Sequence, residues 1–113
     1  MKKIHKPWGH EILIEKNKHY MFKELKMNKG HQCSLQLHNK KIETIYVIKG
    51  NLRIYIGKNQ KKLKSKIYKP GQIITIYPKT IHRMKAESTC VYLEASTPEL
   101  KDVVRLEDDY SRV

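Results

Sequence analysis

Cysteine, arginine, acidic residues and long apolar runs are all scarce in this chain, and each scarcity narrows what it can be. The two cysteines, Cys33 and Cys90, form no CxxC pair, so they read as ordinary buried or half-buried thiols rather than a disulfide framework. No apolar run approaches the roughly 18 residues of a membrane-spanning helix. The opening Met1-Lys2-Lys3-Ile4-His5-Lys6-Pro7 is basic but has neither an apolar stretch nor a cleavage site, unlike a secretory signal, and this predicts a cytoplasmic protein. Acids number 11 against 24 Lys and Arg, for a formal charge of +13. Such a balance invites a nucleic-acid reading. Only Arg53, Arg83, Arg105 and Arg112 are arginines, however, and base readout favours the arginine fork. The densest lysine cluster, residues 58–66, sits between two strand patterns, where a hairpin tip or a lysine-guarded edge strand is expected. The expectation is therefore no nucleic-acid and no membrane partner. A basic surface would still attract a small anion such as a sugar phosphate.

What the chain does have is a succession of short β-type segments. Its 113 residues suffice for one domain with a real core, here expected to span residues 1–113. Alternating or apolar runs rich in β-branched and aromatic residues fall at 11–14, 20–27, 32–38, 43–48, 52–56, 66–68, 72–76, 81–85 and 90–95. Turn signals separate them at Lys29-Gly30, Gly50-Asn51 and Pro70-Gly71. Short strands at this spacing predict a closed all-β sandwich or barrel, expected to have six to eight strands. No convincing long amphipathic helix precedes residue 96, and no repeat has a solenoid period. At Ser96-Thr97-Pro98-Glu99, a proline at a first helical position with an acid beside it predicts one short helical turn.

Two stretches carry chemistry. In the first, Gln36 and His38 are two apart and share a face of a strand, and Glu43 follows five residues on. In the second, His82 comes after the Pro70-Gly71 turn and Pro78. Two imidazoles, a carboxylate and an amide from strands can converge on one divalent metal, a mixed N/O site that suits Zn, Mn, Fe, Co or Ni. Lys23 lies on the same face as Met21, Leu25 and Met27, where an ammonium must find a partner or a cavity. Either it pairs structurally, with Glu94 as a candidate, or it lines a pocket and meets an anionic or hydroxylated substrate. Arg83 alternates with His82, so a structural ion pair competes there with a role at the site. Trp8 reads as a packing anchor for the N-terminal arm. Arg105, Arg112 and the acids 107–109 read as a surface ion-pair network.

The run Gly30-x5-Gln36-x-His38-x4-Glu43-x6-Gly50 resembles the first cupin motif, with Gln36 in place of its first His, and Gly71 to His82 resembles the second. More closely, the chain is similar to the C-terminal isomerase domain of type II mannose-6-phosphate isomerase/mannose-1-phosphate guanylyltransferase enzymes. The matching pieces are Lys6-Pro7-Trp8-Gly9, Lys23, residues 34–38, Glu43, Gly50, Gly71, His82-Arg83, Glu94, Asp102-Val103-Val104-Arg105 and Asp109-Tyr110-Ser111-Arg112. Lys41 stands where the family has an arginine, Thr44 where it has a histidine and Ile45 where it has an aromatic. Lys79 and Ser111 stand where it has glycines.

The resemblance implies a double-stranded β-helix (cupin) barrel and one divalent metal held by Gln36, His38, Glu43 and His82. It implies aldose–ketose isomerisation of a phosphorylated or otherwise anionic hexose. The metal would polarise the carbonyl while a base moves a proton between the first two carbons. Lys23 and Glu94 are the catalytic candidates; Lys23, Lys41 and Arg83 are the substrate-binding ones. A non-catalytic metal- or sugar-binding module, and another metal-dependent activity such as an epimerase or oxygenase, stay open as alternatives. Apolar residues on both faces of several strands, Tyr46 and Ile48 against Ile45 and Val47, predict a second layer. That layer could come from the N-terminal arm, residues 4–14, or from a homodimer partner, which the resemblance favours.

Overall fold

The computed structural model describes residues 1–112. The chain opens with a hairpin of β1 (Lys2–Lys6) and β2 (Gly9–Lys16), followed by β3 (Met21–Met27) and the short β4 (Leu35–Leu37). Next come β5 (Glu43–Lys49), β6 (Leu52–Gly57), β7 (Lys64–Tyr68) and β8 (Ile73–Ile76). The last three are β9 (Ile81–Ala86), β10 (Cys90–Ser96) and β11 (Val104–Glu107). They form two antiparallel sheets, in the orders β1-β2-β3-β10-β5-β8 and β11-β4-β9-β6-β7. The nine segments expected from periodicity are all strands, and two more exist.

Both additions lie where periodicity is weak. β1 is an exposed edge strand with little apolar alternation, and β2 is its only pairing partner. β11 is the tail taken for a surface ion-pair network; it pairs with β4 through Val104↔Leu37 and Arg105↔Gln36. The expected barrel of six to eight strands is thus an eleven-stranded pair of sheets. The expected helical turn is absent as well. Ser96 ends β10, and Thr97 continues its sheet-like pairing, donating its N–H to the Ile42 carbonyl while its Oγ1 accepts from the Ile42 N–H. Those bonds hold the chain extended up to Pro98. The N-terminal arm lies along its own chain, since β2 runs antiparallel to β3. Residues 58–66 form the tip of the β6–β7 hairpin and the start of the edge strand β7.

Glycine is required at two close approaches. At Gly50, which has φ +81° between β5 and β6, a Cβ would stand 2.3 Å from the Thr89 carbonyl oxygen; at Gly9 it would stand 2.0 Å from that of Lys26.

Inward side chains change character along the strands. At one end the cross-strand rows are apolar: Met27 opposite Cys90, then Leu25, Tyr92 and Val47, with Leu52, Ile54, Met84 and Ala86 facing them from the other sheet. Further along the same strands the inward positions become Lys23 opposite Glu94, then Ser96 opposite Glu43, with His82 on β9. The barrel is therefore a packed apolar plug beneath a polar chamber. The plug fixes the strand registers, because slipping any strand by one residue would turn its apolar set outward.

Candidate metal centre

The polar chamber is a cavity of about 260 Å³. His38, at the end of β4, and Glu43, at the start of β5, line it, and His82, on β9, is fully buried beside them; the ligand atoms of the three lie within 4.8 Å of one another. Glu43 Oε1 stands 3.3 Å from His38 Nε2 and 3.0 Å from His82 Nε2, yet none of these three buried atoms has a hydrogen-bond partner.

The outer nitrogens explain why. His82 Nδ1 donates to the Thr80 carbonyl at 2.9 Å, and His38 Nδ1 donates to the Asp102 carbonyl. A carbonyl can only accept, so in each neutral ring the proton sits on Nδ1 and Nε2 presents a lone pair. Two imidazole lone pairs and a carboxylate oxygen thus converge with no hydrogen between them. Buried acceptors left in that state are costly. A divalent cation is the partner that satisfies all three at once, and ring N–H groups anchored on carbonyls are the usual outer support of histidine ligands. The residues fit a metal.

Gln36 is the direct cross-strand neighbour of His82 and lines the cavity, with its Oε1 accepting from Ser34 Oγ at 2.6 Å. Its amide therefore belongs to the same row as His82, while its oxygen is engaged by Ser34.

Acids and lysines of the chamber form alternating pairs. Lys23 Nζ lies 3.1 Å from Glu11 Oε2, and Lys6 lies 3.3 Å from Glu11 Oε1. Lys41 Nζ lies 3.3 Å from Glu94 and 3.9 Å from Glu43. The partner of Lys23 is thus Glu11, and Glu94 belongs to Lys41. Burial, reinforced by the negative charge of Glu43, raises the Glu94 carboxyl to about 7, against the pull of Lys41 and Lys23. Burial also opposes ionisation of Glu11, but Lys23 and Lys6 win and lower it. Glu43 follows the same logic: burial opposes its charge, but its carboxyl is held well below the ordinary range, with Lys41 as the cation beside it. The base of the chamber therefore holds a fixed carboxylate, Glu43, and a carboxyl that exchanges its proton near neutrality, Glu94.

Arg83 stands apart from this group. Its Nε donates to the Cys33 carbonyl at 2.9 Å and its Nη2 to that of Glu107 at 3.3 Å, so it ties β9 to the tail and does not line the cavity. The substrate-binding role expected of it is corrected to a structural one, because its neighbour His82 takes the inward face. The surface network expected of the tail is corrected too: Arg112 pairs with Asp108, but both Arg105 and Arg112 line the cavity. Periodicity missed Glu11, which lies among Ile12, Leu13 and Ile14 on a strand with apolar residues on both faces. It also missed Asp102, whose carboxylate accepts from the N–H groups of Asn39, Lys40 and Lys41 at 2.7–3.0 Å and so fixes the loop after His38.

The family described as mannose-6-phosphate isomerase C-terminal matches residues 1–108. The chain belongs to that family. Its fold is that of cupins of known structure. KdgF from Halomonas sp. is 15% identical with a TM-score of 0.77, and the match covers 90% of each chain. CapF, the capsular polysaccharide assembling protein of Staphylococcus aureus, is 15% identical with a TM-score of 0.81 over 94% of this chain and 34% of its own. Oxalate decarboxylase of Bacillus subtilis, a protein with Mn(II) centres, is 17% identical with a TM-score of 0.79 over 94% of this cupin and 30% of its own chain. This cupin therefore spans about a third of the latter two chains, and at these identities the likeness is one of fold. No curated protein sequence matches it. No helix among the described residues is long and apolar enough to cross a membrane.

Proposed function

We propose that this cupin is a metal-dependent enzyme that interconverts the aldose and ketose forms of a phosphorylated or otherwise anionic hexose. The observation that carries the reading is the set of three buried, unpartnered acceptors, on His38, Glu43 and His82, at the base of a chamber lined by paired lysines and carboxylates. Membership of the mannose-6-phosphate isomerase C-terminal family supports the reaction class. His38, Glu43 and His82 would hold one divalent ion, with Gln36 beside His82 as a fourth donor. A bound divalent ion supplies Lewis acidity that polarises a sugar carbonyl.

The chain's own residues supply the rest. Glu94 is the base: its carboxylate takes the proton from C2 of the aldose and the resulting acid returns it at C1, while the O2 hydroxyl proton passes to O1, leaving a ketose by way of an enediol. Lys41, 3.3 Å from Glu94, holds that carboxyl in place and offsets charge that develops beside it. Lys23, fixed by Glu11, is a donor for substrate oxygens across the strand from Glu94. The lining of Trp8, Leu25, Met84 and Tyr92 limits water around the reacting carbons.

Elemental analysis of protein purified without chelator, together with assays of hexose-phosphate interconversion, tests this. Bound metal with turnover supports it. Bound metal without turnover on any hexose phosphate would leave a binding module or another cupin chemistry, such as an epimerase or oxygenase, and would overturn the isomerase reading. The assembly reading is a homodimer through the outer face of the larger sheet, where Tyr46, Ile48 and Ile73 are 41%, 45% and 60% exposed. Light scattering decides it; a monomeric mass at micromolar concentration at both low and high salt rules it out. A cytoplasmic location completes the reading.

A further inference from the structure

We propose that Arg105 is the anion-recognition residue of the chamber, taking the phosphate or carboxylate of a sugar whose other end lies at His38, Glu43 and His82. The inference rests on the sugar reading above and adds to it the residue that selects the charged group. Five cations line the cavity: Lys6, Lys23, Lys41, Arg105 and Arg112. Four are committed. Lys6 and Lys23 share Glu11, Lys41 holds Glu94 and Glu43, and Arg112 meets Asp108 through two guanidinium contacts of 2.8 and 2.9 Å. Among the described residues, Arg105 has neither a carboxylate within 4.0 Å nor a side-chain hydrogen bond, and its Nε is buried without a partner.

The other arginines are all satisfied by the protein: Arg53 by Glu87 and Ser65, Arg83 by the carbonyls of Cys33 and Glu107. A buried guanidinium donor with nothing to donate to is unusual enough to require a reason. A ligand anion is one, because the planar fork matches phosphate and carboxylate oxygens two at a time.

Its position suits that task. Arg105 on β11 pairs with Gln36 on β4, and Gln36 pairs with His82 on β9, so the three stand in one cross-strand row, in which Arg105 and Gln36 line the chamber. Two strand spacings separate Arg105 from His82, about 10 Å between backbones. A hexose lying along the row would have its reacting carbons at the histidines and its charged substituent at the guanidinium. Lys41 and Lys23 are held by carboxylates on the opposite sheet and are less available for a second anion.

The test is calorimetric titration of mannose 6-phosphate, mannuronate and mannose into metal-loaded wild type, Arg105→Gln and Arg105→Lys. Wild type should bind one anionic sugar at least tenfold more tightly than mannose. Arg105→Gln should lose that preference with mannose affinity unchanged, and Arg105→Lys should keep part of it. Which anion is preferred distinguishes phosphate from carboxylate. An equal preference in wild type and Arg105→Gln, or none in wild type, overturns the proposal. A measurement on wild type alone guards against a misfolded variant: phenylglyoxal should modify Arg105, and the preferred sugar should protect it. Absence of protection overturns the proposal. If Arg105-dependent preference holds without turnover, the isomerase reading fails alone. If turnover is present with an unchanged KM in Arg105→Gln, this inference fails alone.

Discussion

Replacing Glu43 by glutamine should have opposite effects with and without metal. The other two members of the site are the imidazoles of His38 and His82. Their Nδ1 protons are committed to the carbonyls of Asp102 and Thr80, so both Nε2 lone pairs face the Glu43 carboxylate at 3.3 and 3.0 Å. In chelator this is an arrangement of acceptors against acceptors. The amide of Glu43→Gln places an N–H donor among them, and one new hydrogen bond is worth about 1 kcal/mol net. The lost contact to Lys41 was the longer of its two, 3.9 Å against 3.3 Å to Glu94, so that lysine keeps its nearer partner. For a domain of this size 1 kcal/mol moves Tm by about 4 °C. The variant in chelator should therefore melt at the wild-type temperature or up to about 4 °C above it.

With a divalent ion at about a hundred times its Kd, wild type should gain about 2.7 kcal/mol, or about 10 °C. Glu43→Gln should gain little, because a neutral amide replaces the site's only carboxylate. Thermal melts by circular dichroism, with chelator and with each of Zn, Mn, Fe, Co and Ni, make the measurement. Two results would refute the reasoning. One is a fall of about 10 °C or more for the variant in chelator, which would mean that the histidines and Glu43 satisfy each other. The other is a wild-type Tm that no metal raises.

Three more outcomes follow from the same structure. Lys79 has φ +65° at a position where the family motif carries glycine, and a left-handed conformation costs an L-residue about 1–2 kcal/mol. Lys79→Gly should therefore raise stability in urea melts, by up to about 1 kcal/mol once glycine's greater unfolded entropy is deducted. Asp102→Ala removes the acceptor for three N–H groups next to His38 and loosens the carbonyl that orients its ring; metal affinity by competition with a chromophoric chelator should fall about tenfold or more while the circular dichroism spectrum is kept. The Glu94 carboxyl is raised to about 7 from 4.5, burial being the largest cause. Between those values the native chelated protein keeps a proton that the unfolded chain has lost, so stability should fall as pH rises through that window; Glu94→Gln should flatten that slope in denaturant melts.

Local periodicity reached far into this protein. Alternation alone placed Met21, Lys23, Leu25 and Met27 on one face of β3 and set Ile45 and Val47 against Tyr46 and Ile48 on β5, and the burial pattern puts the first of those pairs inside. The two-residue step from Gln36 to His38 and the turn signals around β5, β6 and β8 were equally local. These features depend only on the pleat of a strand and on residues adjacent in the chain, so the sequence by itself determined them.

Pairing between distant strands is another matter. Nothing near Lys23 announces Glu11 as its partner, and β2 carries apolar residues on both faces, so its inward side was undecided until it paired with β3. Arg83 and Arg105 exchanged the places expected of them. Arg83 follows a residue that takes the inward face, whereas Arg105 joins the row of Gln36 and His82 only because the tail adds β11 beside β4. The helical turn expected at Pro98 gave way to bonds from Thr97 to Ile42, 55 residues away. The convergence of His38, Glu43 and His82 is likewise long-range: their positions follow from the registers that the apolar end of the barrel imposes, and those registers exist only once both sheets pack.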